Sequence, residues 1–517
     1  MVATAAQNRF VPEPLNCADF AALEPLYHGL RDRLIDTVES LMIWLEDFSA
    51  LTAVVEEYGA RRYIDKSCHT DDAAIEAAYL HFIEQIEPKI KPLYFQLQKK
   101  FLAAPARKLL KEQRFEILAK KWSADVEIFR EENVALETAV TKLNNEYDKL
   151  CGARIIHFRG SDYTPQQMAR FSEETDRTTR QEAWEANTNR RLKDWEAIET
   201  IFDQLLALRK EIAKNAGLPD YRAYTWKQYK RFDYLPEQCL AFADSIAGTC
   251  VPLASKMATE RAGELGLATL RPWDLDVDPK GRAPLRPFQE DQVDLFVSKT
   301  REVFDRLSPA LAKEFDELSA HHNLDLDSRK GKQPGGYQMS LEQSRQPFIF
   351  MNAAGLQRDV ETLLHEGGAC VSLPRRVPAR AVGLSAQRAD GILRSGQYVD
   401  GIARQRAFRH LLQRPRRRRP RPAEIDRRNH RHSALDRDHR LVSALALHAS
   451  GSCGERANGG MAAPPQSFLS GRGLERPRVR PRVKLAASTA SLSLPVLLCR
   501  VWHRATGGAA TMAQGAT

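Results

Sequence analysis

Apolar residues recur at intervals of three and four positions through most of residues 18–150. This spacing places them on one helix face and predicts a series of long amphipathic helices. Ser123 is a candidate N-cap for a helix over residues 124–150. Thr164 is another, because a proline follows it and Gln167 stands three positions later, as in a capping box. Further helix starts are expected near Pro236, near Gln289 and after Ser308.

The pattern changes between Leu324 and Gly355, where short alternating runs flank the segment Gly-Lys-Gln-Pro-Gly-Gly. These runs predict a few short strands, and the residues around Pro334 predict a tight turn. A phosphate-binding loop is excluded because the G-K-[ST] ending is absent. A further helix is predicted over residues 356–368, directly after the last strand.

Charge divides the chain into unlike parts. Residues 369–517 contain 27 Arg, one Lys and 8 Asp plus Glu, a net charge of +20, whereas residues 1–368 carry a net charge of −10.

The predicted domains are a helical domain at 1–150, a second domain at 151–368 and an Arg-rich tail at 369–517. A chain of this length is expected to form two helical lobes rather than one core. The tail lacks sustained periodicity and repels itself, so it is expected to be disordered or non-native.

Other features narrow the class of protein. No apolar run reaches the length of a membrane span, and the first residues lack the basic end and apolar core of a signal peptide. The eight cysteines include no C-x-x-C pair, which argues against a disulfide framework or a structural zinc knuckle. We therefore expect a cytoplasmic protein without membrane partners.

The candidate chemistry lies in the predicted helix, which contains His365-Glu366-Gly-Gly-Ala369. In the zinc-protease motif H-E-x-x-H, two histidines four residues apart bind the metal from one helix face, and the glutamate polarises the zinc-bound water. Here His365 and Glu366 match the motif. Ala369 stands at the second histidine position and has no lone pair to offer.

The stretches LDLDSRKGKQPGGY, PFIFMNAAG and DVETLLHEGG closely resemble the oligoendopeptidase F family of zinc metallopeptidases, relatives of thimet oligopeptidase. The resemblance covers most of residues 20–368 and stops after Gly368. It implies a mainly α fold with two helical lobes around a deep channel, and a small β-sheet next to the zinc-motif helix. It also implies one Zn²⁺ per subunit, hydrolysis of short peptides, His365 as a metal ligand and Glu366 as the general base.

One extra base in the Gly367–Gly368 codons would explain why the resemblance stops. Reading from the second base of each codon, residues 369–372 permit His-Ala-Phe-His, which completes the motif. In the same offset, residues 391–403 permit EFCEVASMSMELL, similar to the family helix that supplies the third ligand, a glutamate. As written, the chain lacks two of the three ligands and is expected to be inactive.

A non-enzymatic alternative remains. The run of arginines at 414–419 resembles a nucleic-acid-binding or targeting arm by charge, so the chain could be a helical protein with a basic interaction tail. Out-of-frame translation of GC-rich codons also produces arginine runs, so binding of nucleic acid is not expected. The oligomeric state and the peptide preference stay open at this point.

Overall fold

The computed structural model describes residues 10–371, and their fold is mainly α, as predicted. The helices are α1 (Phe20–Asp32), α2 (Val38–Cys68), α3 (Ala73–His81), α4 (Glu87–Ala103), α5 (Gln113–Ile128), α6 (Glu131–Gly152), α7 (Arg177–Leu192), α8 (Trp195–Asn215), α9 (Tyr221–Gln228), α10 (Pro236–Glu264), α11 (Val293–Leu307), α12 (Pro309–Ala320) and α13 (Gln357–Val371). The strands are β1 (Ile156–Phe158), β2 (Ser161–Tyr163), β3 (Leu324–Asp327), β4 (Tyr337–Leu341) and β5 (Gln346–Ala353).

The first core lies among α1, α2, α4 and α5. Trp44 and Phe48 of α2 are fully buried, and Phe48 meets Trp122 of α5 with ring centroids 5.6 Å apart. Phe101 of α4 packs edge-on against the same indole at 4.8 Å. Because each helix contributes a large apolar side chain from one face, these residues form a continuous cluster.

The predicted strands form a small mixed sheet in the order β3-β5-β4. The central strand, β5, pairs parallel with β3 and antiparallel with β4, with Tyr337 opposite Phe350. Residues 348–351 of β5 are all buried, which is typical of a strand covered on both faces. The chain leaves β5 directly into α13, so the sheet fixes the starting point of the motif helix.

The loop between β3 and β4 attaches this sheet to the N-terminal helices. The backbone N–H of Thr70 donates to the carbonyl of Gly331 at 2.6 Å, and the N–H of Gly331 donates to the carbonyl of Gly152 at 3.1 Å. The hydroxyls of Ser67 and Tyr337 lie 2.5 Å apart and are both buried. These contacts join segments that are more than 170 residues apart in the sequence, so only the tertiary fold brings them together.

An ion cluster supports the same loop. Both carboxylate oxygens of Asp325 accept hydrogen bonds from Arg329, each at 2.7 Å, and Lys332 donates to one of them at 2.6 Å. Lys332 also donates to the carbonyl of Asp327 at 2.7 Å, and its side chain is completely buried. Burial alone would raise the pKa of Asp325, but the hydrogen bonds from Arg329 and the charge of Lys332 outweigh it and hold that pKa well below its usual range.

Several predicted helix starts are confirmed. α10 begins at Pro236, α12 begins at Pro309, and the Ser308 hydroxyl caps α12 by accepting from the N–H of Ala310 at 3.3 Å. α11 begins at Val293, just after the predicted Gln289. The Thr164 capping box also forms: the Thr164 hydroxyl accepts from the N–H of Gln167. It opens a short 3₁₀ segment rather than an α-helix.

The prediction that Ser123 caps a helix over residues 124–150 is wrong. Ser123 lies inside α5, and the chain breaks instead between Ile128 and Glu131. The Arg130 guanidinium stabilises this break by donating to the carbonyls of Asn215 and Ala216 at 3.1 and 3.3 Å. These acceptors lie 85 residues or more away, so the local sequence carries no sign of them.

The predicted domain boundary at residue 150 stays a prediction, and it falls in the last turn of α6. The expectation for residues 372–517 lies outside the described part of the chain. Among the described helices, none is both long and apolar enough to cross a membrane.

Candidate active site

The turn before α13 requires glycine. Gly355 has φ of +80°, and a Cβ at this position would lie 2.8 Å from the carbonyl oxygen of Phe288. A side chain would therefore meet both an unfavourable backbone conformation and a backbone clash. This turn lets the chain pass from β5 into the motif helix within three residues.

Asp359 holds the first turn of α13. Its carboxylate accepts from the N–H groups of Ala354 and Leu356 at 2.8 and 2.9 Å, and the residue is buried. These bonds satisfy backbone donors at the helix start. Burial raises the pKa of Asp359 to about 6, and the backbone hydrogen bonds oppose that rise. Sequence analysis missed this residue, although an acid three positions after Leu356 fits the capping-box spacing.

One face of α13 packs into a second apolar cluster. Val360, Leu363 and Leu364 are buried there with residues of α11, α12 and the sheet. Gly367 continues the same face, and a Cβ on it would lie 3.1 Å from the Phe304 ring. The spacing 360, 363, 364 and 367 is that of one helix stripe, so this face is fixed against the core.

The motif residues lie on the other side of α13. His365 and Glu366 are both half-buried, and position 369 follows His365 by one helical turn. Helical periodicity therefore places His365 and position 369 on the side of α13 opposite the buried Val360, Leu363 and Leu364, with Glu366 beside them. This arrangement is the one the H-E-x-x-H motif requires, but the residue at position 369 is alanine.

The donor set does not fit a catalytic zinc ion. Such a site uses three protein ligands, and the sequence offers only His365 at the two histidine positions of the motif. Within residues 10–371 no group of three or more His, Cys, Asp or Glu side chains is placed to hold a metal ion. The described residues thus include the motif helix with His365 and Glu366, but not a complete set of zinc ligands.

A cleft of about 440 Å³ lies elsewhere, between the end of α2 and β3. Asp65, His69, His322 and Asp325 are among its lining residues. No residue of α13 lines it. The cleft is therefore separate from the motif helix.

Comparisons with known proteins identify the family of this chain. The model of the Peptidase M3 N-terminal domain matches residues 10–129, and the model of Peptidase family M3 matches residues 170–371. Together they span more than half of the chain, which belongs to peptidase family M3. The chain is thus a member of a family of peptidases, which are hydrolases. No curated protein sequence matches the chain significantly.

Solved structures share the fold. A protein from Bacillus anthracis str. Ames assigned as an oligoendopeptidase F is 21% identical, with a TM-score of 0.68 over 76% of this chain and 74% of its own. PZ peptidase A with an inhibitor is 22% identical, with a TM-score of 0.67 over 78% of this chain and 73% of its own. A second oligoendopeptidase F structure gives 21% identity and a TM-score of 0.68, over 78% of this chain and 73% of its own.

Proposed function

We propose that this chain is a zinc metalloendopeptidase of the oligoendopeptidase F type by descent, and that it is inactive as written. In this proposal short peptides are the substrates of the intact enzyme, His365 is a metal ligand and Glu366 is the general base. The observation that supports it most is that helix α13 lies inside the match to Peptidase family M3 and carries His365 and position 369 one helical turn apart, opposite its buried stripe, with Glu366 beside them.

The proposed inactivity follows from the ligand count. Ala369 offers no lone pair, and a single imidazole does not hold a catalytic zinc ion. We therefore assign no hydrolytic step to the chain as written. The residues in place would still allow Glu366 to act on a nearby water, but without the metal neither that water nor the scissile carbonyl would be polarised.

We further propose that a single extra base in the Gly367–Gly368 codons separates this chain from an active one. The family match ends at residue 371, a few residues after those codons. The same offset permits a histidine at position 369 and an apolar, glutamate-containing segment at residues 391–403. The alternative, a non-enzymatic protein with a basic tail, is supported by the charge of residues 369–517 alone.

The test compares two proteins. The chain as written should not cleave a quenched fluorescent peptide in a chelator-sensitive manner, whereas the chain with one base deleted from the Gly367–Gly368 codons should. Chelator-sensitive turnover by the chain as written would contradict the proposed inactivity. A base-deleted chain that folds but neither binds zinc nor cleaves peptides would contradict the proposed function.

Two variants control this comparison. In the base-deleted chain, Glu366→Gln should abolish turnover and retain zinc, because the glutamate acts on water and not on the metal. In the chain as written, Ala369→His should not give activity, because the third ligand would still be missing. Full activity of that single substitution would mean that residues 369–517 supply a real ligand.

A further inference from the structure

The cleft of about 440 Å³ between α2 and β3 runs along a free edge of the small sheet. Within the described residues β3 is an edge strand, because the strand order is β3-β5-β4. All four residues of β3, from Leu324 to Asp327, line the cleft. Successive side chains of a strand point to opposite faces, so a cleft that contacts all four passes along the edge of the strand.

The backbone groups on this edge bond to nothing outside the sheet within residues 10–371. The N–H of Ile349 in β5 donates to the carbonyl of Asn323 at 2.9 Å, and Leu324 is the residue in register with Ile349. Because backbone groups alternate in direction along a strand, those of Leu324 point away from β5. Neither Leu324 nor Leu326 forms a backbone hydrogen bond to another described element. An unpaired edge of this kind is a template for a further strand.

The two faces of β3 offer different surroundings to an added strand. Leu324 and Leu326 belong to the apolar cluster of α11 and α12, and Val293 at the start of α11 also lines the cleft. Asp325 and Asp327 alternate with the leucines and therefore lie on the opposite face. Side chains of neighbouring strands share a face, so alternate residues of an added strand would meet the leucines and the aspartates.

The charged groups of the cleft favour basic side chains in such a strand. The charged residues that line it are Asp65, Asp325, Asp327 and Arg329, so carboxylates outnumber the guanidinium. Both terminal nitrogens of Arg329 are already engaged, with the two aspartates of β3 and a backbone carbonyl. Asp65 pairs with Arg62 at 3.0 Å and Asp327 pairs with Arg329 at 2.9 Å, but their side chains remain 44% and 46% exposed. These two carboxylates can accept further hydrogen bonds.

We propose that the free edge of β3 binds an extended peptide by strand addition, and that this peptide alternates apolar and basic residues. Its backbone bonds to Leu324 and Leu326, its apolar side chains lie on the leucine face, and its lysine or arginine side chains lie on the aspartate face. No residue of α13 lines the cleft. The site is thus separate from the motif helix, and this inference is independent of the proposed function.

A second copy of β3 is a poor occupant of the same edge. β3 reads Leu-Asp-Leu-Asp. Self-pairing would set aspartate opposite aspartate, which destabilises a sheet, or would place a carboxylate on the apolar face. The basic residues 369–517 of the chain itself are the other competing occupant, and the test below separates all three.

The experiment titrates the chain as written with acetyl-Val-Lys-Val-Lys-Val-amide by calorimetry at about pH 7.5, where unperturbed imidazoles are neutral. The lysine peptide should bind, and its glutamine analogue should bind about tenfold more weakly, because it lacks two ion pairs. Two further peptides carry N-methyl groups, one on the valine amides and one on the lysine amides. Because amides alternate in direction, only one set faces β3, so only one of these peptides should lose binding.

Two double variants locate the site. Asp65→Asn with Asp327→Asn should weaken binding of the lysine peptide about tenfold and leave the glutamine analogue unchanged. The matched control, Asp203→Asn with Asp244→Asn, removes two exposed carboxylates from α8 and α10 and should change neither affinity. Because Asp327 also pairs with Arg329, the single variant Asp65→Asn is a second test and should give a smaller loss.

Absence of binding, equal behaviour of the two methylated peptides, or equal effects of the two double variants would overturn this inference. Slow carbethoxylation of His69 and His322, which line the cleft, before any peptide is added would mean that the chain's own residues cover it. That result would overturn the assignment to a separate peptide. A dimeric mass by light scattering that the lysine peptide converts to a monomeric one would assign the edge to a second copy and also overturn it.

Discussion

Replacing Lys332 with methionine is expected to destabilise the described fold more than any loss of a surface ion pair. The Lys332 side chain is completely buried, and its ammonium donates to the Asp325 carboxylate and to the carbonyls of Asp325 and Asp327. Methionine keeps the length of the side chain but leaves these acceptors without that donor. Breaking a buried pair by removing one partner destabilises proteins by about 3–5 kcal/mol. Because Arg329 still pairs with Asp325 in the variant, we expect the free energy of unfolding to fall by about 3 kcal/mol.

The matched control is Arg301→Met. Arg301 pairs with Asp316 at 2.9 Å, but both side chains are more than 40% exposed. Exposed pairs contribute about 0–1 kcal/mol. Urea unfolding followed by circular dichroism at 222 nm should therefore show a much lower midpoint for Lys332→Met than for Arg301→Met. Similar midpoints for the two variants would refute the assignment of Lys332 as a buried anchor of the loop between β3 and β4.

The same cluster predicts a pH dependence. Because the pKa of Asp325 is lower in the folded state than in the unfolded chain, its contribution to stability is present above the unfolded value of about 4. That contribution is lost as the pH falls through the folded pKa. The chain should thus lose stability in acid below about pH 4, and the loss should be smaller in Lys332→Met, in which Asp325 has one cation fewer. A steeper acid loss in the variant would contradict this account.

Two further predictions concern the start of the motif helix. Gly355→Ala should lower the Tm, with a loss of at least about 1–3 kcal/mol, because Gly355 has a φ of +80° and lies close to the Phe288 carbonyl. The control Gly248→Ala, in α10 with open space around it, should stabilise the protein by about 0.5–1 kcal/mol. Equal effects of the two substitutions would show that the turn is not constrained. The folded pKa of Asp359, about 6, is above its unfolded value, so the contribution of this group is complete below about pH 4 and is lost as the pH rises through 6. Asp359→Asn should remove this part of the Tm–pH profile between pH 4 and 7, and an unchanged profile would exclude Asp359 as its source.

The sequence alone determined the elements that depend on local pattern. The strands between Leu324 and Gly355 and the helix after them follow from alternation, glycines and apolar spacing, which act within a few residues. The defect at position 369 is also a matter of sequence, because no fold can give an alanine side chain a lone pair. The match to the Peptidase family M3 model ends at residue 371, close to Gly368, where the motif resemblance stops.

Tertiary structure decided what depends on distant partners. At the break between α5 and α6, Arg130 donates to the local carbonyls of Glu127 and Phe129 and also to the distant carbonyls of Asn215 and Ala216, which the local pattern around Ser123 does not show. The link from Thr70 to Gly331 spans 261 positions.

The direction of the motif face was likewise settled by the packing of Val360, Leu363 and Leu364 against α11 and α12. Periodicity defines a helix face, but only the elements packed against that face determine where it points.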